Sequence, residues 1–189
     1  KEISALASWT VTSAKPGCGI PQLRNSSTSL FWQSDGPQPH CLNIHFFKLV
    51  EICGMRIFLD FEQDESYTPT KIQFLAGMGY NDLQMFGEMA FEQPRGWIDV
   101  DFSGKGAVPI LRAFLVQVKI VENHQNGKDT HLRGLQIFAK DKAAAPSTRR
   151  LRDEVVGQNS SRDSVKVPKR ASFSRGLAMP QWSTVPELR

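Results

Sequence analysis

The 189-residue chain has no run of about 18 apolar residues, so its sequence predicts no membrane-spanning helix and no membrane partner. Its first residues, Lys1-Glu2-Ile3-Ser4, lack an apolar signal core, and secretion is not expected unless a leader was trimmed. Cysteine is scarce: Cys18, Cys41 and Cys53 form an odd set without CxxC spacing. That argues against a disulfide framework and for reduced thiols in a nuclear or cytosolic protein. Enzyme signatures are missing as well. The chain holds no GxSxG, no GxxxxGK[ST], no HExxH and no phosphate-cradling glycine motif. It also lacks an internal repeat and any long helical period.

The net charge of +4 conceals an asymmetry. Residues 1–141 carry 13 basic and 15 acidic side chains, whereas residues 142–189 carry 10 basic and 4 acidic ones. The basic character therefore belongs to the tail, and nucleic-acid binding by the rest loses its compositional support. Residues 142–175 have few large apolar groups and cannot bury enough surface to offset ordering entropy, which predicts a disordered tail. Farther on, Leu177, Met179, Trp182, Val185 and Leu188 recur among Pro180 and Pro186, as in a linear docking motif or an ordinary tail. Lys166 to Arg170 resembles a nuclear-localisation cluster, and Lys169-Arg170-Ala171-Ser172 a basophilic kinase site.

From about Leu42 the pattern is that of strands. Leu42 to Phe46 alternates, Val50 to Phe61 contains Ile57-Phe58-Leu59, and Lys71 to Leu75 follows a Pro-containing turn. Ile98 to Phe102 alternates too, and Leu135 to Ala139 closes the series. In Leu111 to Val121 the residues Phe114, Val116, Val118 and Ile120 share one face while Leu115 lies on the other. A strand apolar on both sides suits the middle of a two-layer stack. Short strands separated by Gly, Pro, Asn and Asp clusters predict an all-β sandwich. Before residue 42 the pattern is weaker; Lys1 to Ala7 fits a short helix or an extended lead-in.

Between two of these strands lies His124-Gln125-Asn126-Gly127-Lys128-Asp129-Thr130-His131, eight residues without a core-forming side chain. Asn126-Gly127 suffices for a turn, so the remaining polar groups suggest a recognition surface. His124, Asp129 and His131 are candidate metal ligands, but their spacing is wide and no cysteine completes a set, so no metal or cofactor is expected. Catalysis finds no nucleophile with a base. Asp64 and Glu65 are adjacent, and on an extended chain they would point apart. Trp32 to His40 and Asp64 to Lys71 share the loop character; each is either a plain turn or part of a composite surface.

A resemblance then enters. Trp9 to Gly17, Gln22-Leu23-Arg24, Trp32 to His40, Asp64 to Lys71 and His124 to His131 occur in that order. Together they resemble the DOC-domain family, in the form of the stand-alone DOC subunit of the anaphase-promoting complex, from about Glu2 to Phe138. The resemblance implies a jelly-roll β-sandwich similar to galactose-binding domains over residues 1–141, followed by the tail at 142–189. It implies a non-catalytic subunit of a ubiquitin ligase, resident in nucleus and cytoplasm. With a WD40 co-activator, such a subunit acts as co-receptor for destruction-box degrons and raises processivity.

The family's ligand-side loops map onto Ser66, Tyr67 and Thr68, and onto His124, Gln125, Asn126, Gly127, Asp129 and His131. Asn126, Asp129 and His131 are the expected first contacts, with Ser66 beside them. The family's terminal Ile-Arg, which docks into a tetratricopeptide-repeat subunit, reads Leu188-Arg189 here. Gly17-Cys18-Gly19 and Asn25-Ser26-Ser27 also depart from the family pattern, away from the degron loops. Two other readings remain: a carbohydrate-binding module, with Tyr67 as the nearby aromatic platform, and a metal-dependent hydrolase.

Overall fold

The computed structural model describes residues 1–102 and 110–140. The expected disordered tail, the Leu188-Arg189 motif and the basic matches at 166–172 lie outside the described residues.

Nine strands make up the described fold: β1 (Ala7–Val11), β2 (Trp32–Gln33), β3 (His40–Asp60), β4 (Pro69–Gly77), β5 (Gln84–Ala90), β6 (Arg95–Asp99), β7 (Leu111–Asn123), β8 (His131–Leu132) and β9 (Gly134–Ala139). Two four-residue helices, α1 (Ile20–Leu23) and α2 (Phe61–Asp64), interrupt them. All the pairings are antiparallel, in the order β1-β3-β7-β4-β5 with β6 and β9 on β3, and β2 pairs with β8. This is a jelly-roll β-sandwich, as expected.

Strand β3 organises it. The sequence pattern suggests two strands, at 42–46 and 50–61; the chain makes one of 21 residues. Its first half pairs with β1 and β7, its second half with β6 and β9. It passes from β7 to β9 at Ile52, with register shifts between His45 and Val50 and between Ile52 and Gly54. Phe114 faces the first shift and is half-buried, so it leaves the stripe predicted for it. Val116, Val118 and Ile120 keep the stripe at 0 % exposure, and Leu115 on the other face is equally covered. Val116, Val118 and Ile120 join Trp32, Ile44, Ile57 and Phe74 in one continuous core. Each such side chain stabilises the fold by roughly 1.5–3 kcal/mol relative to exposure.

Before β1 the two readings of the lead-in both apply. Ser4–Leu6 makes a 3-10 turn, and Ile3 N–H donates to the Ile137 carbonyl at 2.8 Å. Register fixes the two ends of the sandwich. Pro69 pairs with Asn123 and His40 with Ile120 at one end; Gly77 and His45 meet Leu115 toward the other.

Candidate functional site

Three loops converge at the Pro69–Asn123 end: residues 34–40, 61–68 and 124–131. They are tied through backbone groups. His124 N–H donates to the Thr68 carbonyl at 2.9 Å. The Gly127 carbonyl accepts from Gln38 Nε2 at 2.9 Å and from Asn123 Nδ2 at 3.1 Å. Asn123 Nδ2 also reaches the Asp129 carbonyl at 2.9 Å, and His40 Nε2 lies 2.6 Å from the Lys128 carbonyl. Thr130 N–H donates to Ser34 Oγ at 2.9 Å.

The turn is made differently from its Asn-Gly signature. Left-handed φ falls on Gln125 (52°) and Asn126 (56°), while Gly127 has an ordinary φ of −55°. Asparagine tolerates the left-handed region better than most residues. Gly127 is required for another reason: a Cβ there would overlap the Ser66 carbonyl oxygen and lie 2.9 Å from its carbonyl carbon.

Below the loops is a buried polar network. Arg133 clamps Asp64 with two bonds, Nε to Oδ2 at 2.7 Å and Nη2 to Oδ1 at 2.7 Å. His131 Nδ1 donates to Asp64 Oδ1 at 2.8 Å. Arg133 Nη1 continues to the Thr28 carbonyl at 3.0 Å. The His131 ring is stacked between Phe31 (4.1 Å) and Tyr67 (4.3 Å). Burial would raise the Asp64 carboxyl, but the hydrogen bonds and charges of His131 and Arg133 outweigh it and hold it below its ordinary value.

Asp64 and Glu65 do point apart, though on a helical turn and not on an extended chain. Asp64 closes α2 and is buried, whereas Glu65 is exposed with φ at 46°. The clamp's arginine was not among the candidates. Its sequence signal is the spacing of two between His131 and Arg133, which turns both side chains to one side of an extended segment.

The structure divides the expected contact residues into two groups. Gln125, Asn126 and Tyr67 are exposed, and Ser66, His124, Gly127 and Asp129 are half-buried. Asp129 pairs with Lys15 at 3.4 Å. Thr68 and His131 are interior residues, at 0 % and 9 % exposure, so their side chains support the surface from beneath. The expectation of His131 as a leading contact is corrected on that ground: stacking and the Asp64 bond occupy the ring. His124 packs on Phe61 at 4.6 Å, so the two imidazoles have different partners. Among the described residues no group of three His, Cys, Asp or Glu side chains converges as a metal site. Cys18, Cys41 and Cys53 are all free thiols.

The sequence model of the family described as anaphase-promoting complex, subunit 10 (APC10) matches residues 1–162. A Drosophila melanogaster relative is 41 % identical over 139 residues, spanning 74 % of this chain and 71 % of its own length. A Homo sapiens relative is 40 % identical over 138 residues, spanning 73 % and 74 %. Both carry the name anaphase-promoting complex subunit 10. Among solved structures, the family 32 carbohydrate-binding module of Clostridium perfringens NanJ in complex with galactose superposes with a TM-score of 0.60 at 12 % identity. That likeness spans 72 % of this chain and 96 % of the module, and it shows the fold alone: a galactose-binding-like jelly roll.

Proposed function

This chain belongs to the anaphase-promoting complex subunit 10 family, and on that premise we propose that it is a non-catalytic subunit of that ubiquitin ligase which helps hold destruction-box substrates. The partner in this task is a WD40 co-activator, and the two receptors share one extended peptide. Leu188-Arg189 anchors the chain to a tetratricopeptide-repeat subunit. Residence in nucleus and cytoplasm goes with the same reading.

The observation that carries it is the fusion of two polar loops into one surface by the Gly127–Ser66 contact. Gln125, Asn126, Ser66 and Asp129 present carboxamides, a hydroxyl and a carboxylate above it. An extended peptide carries unpaired amides and carbonyls, which such groups recognise without demanding one sequence. Each contact is modest. The second receptor supplies effective concentration, so weak contacts here slow release and allow more ubiquitins per encounter. Thr68, His131, Asp64 and Arg133 are positioning residues in this account. The carbohydrate reading has less behind it, because one face of the Tyr67 ring is already stacked on His131.

Photo-cross-linking a destruction-box peptide to the assembled ligase tests the reading. Adducts are expected at residues 66–67 and 125–129. A peptide that labels the co-activator and never this chain contradicts it.

A further inference from the structure

A cavity of about 240 Å³ opens between the segment that follows α1 and the start of β9. Trp9, Leu23 and Leu135 line it at 8 %, 2 % and 6 % exposure, so its floor is fixed by the core. Arg133, the clamp of Asp64, lines it too and holds one wall. Its Nη1 donates to the carbonyls of Thr28 at 3.0 Å and Ser29 at 3.4 Å. Another wall is Trp97 of β6, packed so closely on Gly134 that a Cβ there would lie 2.7 Å from the ring.

The groups left over at this cavity are donors. Arg24 sits with its Cζ 5.3 Å from the Trp9 ring centroid and has no hydrogen bond or ion pair among the described residues. Asn25 Oδ1 accepts from Ser27 N–H at 2.9 Å, and Gln136 Oε1 accepts from Arg56 Nε at 2.7 Å. Each amide has engaged its oxygen and keeps an NH2 without a partner among the described residues. Arg56, held against Trp97 at 4.6 Å and Phe138 at 5.4 Å, has no ion pair there either. Glu2 is the one carboxylate on the lining, and its Oε1 accepts from Ser4 N–H at 3.0 Å.

Free donors and unpaired guanidiniums around one small cavity select an anion. Drug-sized ligands fill roughly 300–1,000 Å³, so this space suits the end of a single short side chain. A carboxylate brings two oxygens and one charge, whereas a phosphate monoester brings three acceptor oxygens and a charge of about −1.5 to −2. Arg24, Asn25 and Gln136 are three separate donors, and a guanidinium pairs with phosphate through two parallel bonds. The count favours phosphate. The same charges disfavour the basic residues 142–189 as the occupant.

We propose that this cavity binds a phosphoserine or phosphothreonine side chain of a partner polypeptide, with Arg24, Asn25 and Gln136 as its donors. The site is distinct from the loops assigned to degron contact and does not depend on that assignment.

The test titrates the full-length chain, labelled with nitrogen-15, with a blocked peptide of one phosphoserine flanked by alanines. Saturable shifts are expected at the amides of residues 24–26 and 134–136 and at the Trp9 indole N–H. Arg24→Gln should weaken binding about tenfold or more at an unchanged melting temperature. Asn25→Asp should weaken it as well, and Glu2→Gln should tighten it. The Ser66→Ala, Gln125→Gly, Asn126→Gly variant should bind as the parent does; loss of binding there moves the anion to the degron loops and overturns the proposal. Absence of saturable shifts, or parental affinity in Arg24→Gln, overturns it. So does equal binding of the same peptide with serine or glutamate in place of phosphoserine. Inorganic phosphate bound as tightly as the peptide makes this a free-anion site and overturns the peptide ligand. The same shifts on phosphorylating Ser172 of the chain itself assign the cavity to the tail and overturn the partner.

Discussion

Gly127 lies so close to Ser66 that a side chain on it would overlap the Ser66 carbonyl oxygen. The two residues are far apart in sequence, and each belongs to one of the loops proposed to meet the degron. Their contact makes the loops a single body. The Gly127 carbonyl, held by Gln38 and Asn123, ties in the third loop and the end of β7.

Gly127→Ala therefore forces the loops apart. Its φ suits any residue, so the penalty is steric, about 1–3 kcal/mol for overpacking. Gly79→Ala is the control: its φ is extended and a Cβ there meets nothing within 4 Å, so it should stay within about 0.5 kcal/mol of the parent. Urea denaturation of the two variants checks the contrast. Equal stability would remove the close approach from the account.

Breaking the Asp64–Arg133 clamp one partner at a time should be severe. Arg133→Met leaves a carboxylate buried without its guanidinium, at a cost of about 3–5 kcal/mol. Replacing both, Asp64→Leu with Arg133→Met, should cost clearly less than the sum of the two single changes. A double-mutant cycle by chemical denaturation measures this. Additive losses would mean that the clamp is not a unit.

The same carboxyl sets a pH dependence. Its pKa is lowered in the folded protein, because the bonds from His131 and Arg133 outweigh the effect of burial. The unfolded chain then takes up the proton first as acid is added. The stabilisation is complete above the ordinary aspartate value of about 4 and is lost as pH falls through the lower folded value. The stability gap between parent and Asp64→Asn should be widest near neutrality and close in acid. A gap independent of pH would contradict the assignment.

Much of the fold was legible in alternation. The strands from Leu42 onward were readable because half-buried strands repeat every two residues, and Val116, Val118 and Ile120 obeyed that rule to full burial. The unity of β3 was not, because Phe47-Lys48-Leu49 looks like a connection while its backbone stays extended. The three loops were visible as polar surplus, but their supports were hidden. Burial of His131 depends on stacking by Phe31 and Tyr67 and on its bond to Asp64, partners remote in sequence. Local polarity reports which loops are unusual; it does not report which of their side chains turn inward.

That distinction decides how the loop surface should be altered. Gln125 and Asn126 hold left-handed φ, so glycine removes their side chains without backbone strain, whereas alanine introduces it. Ser66→Ala removes the neighbouring hydroxyl.

The most direct test is the number of ubiquitins added to a destruction-box substrate per encounter in a reconstituted ligase reaction. It compares the parental chain with Ser66→Ala, Gln125→Gly, Asn126→Gly at equal incorporation into the complex. The account predicts shorter chains and faster substrate release, with unfolding stability within about 1 kcal/mol of the parent. Chains of parental length from a fully incorporated variant would contradict it.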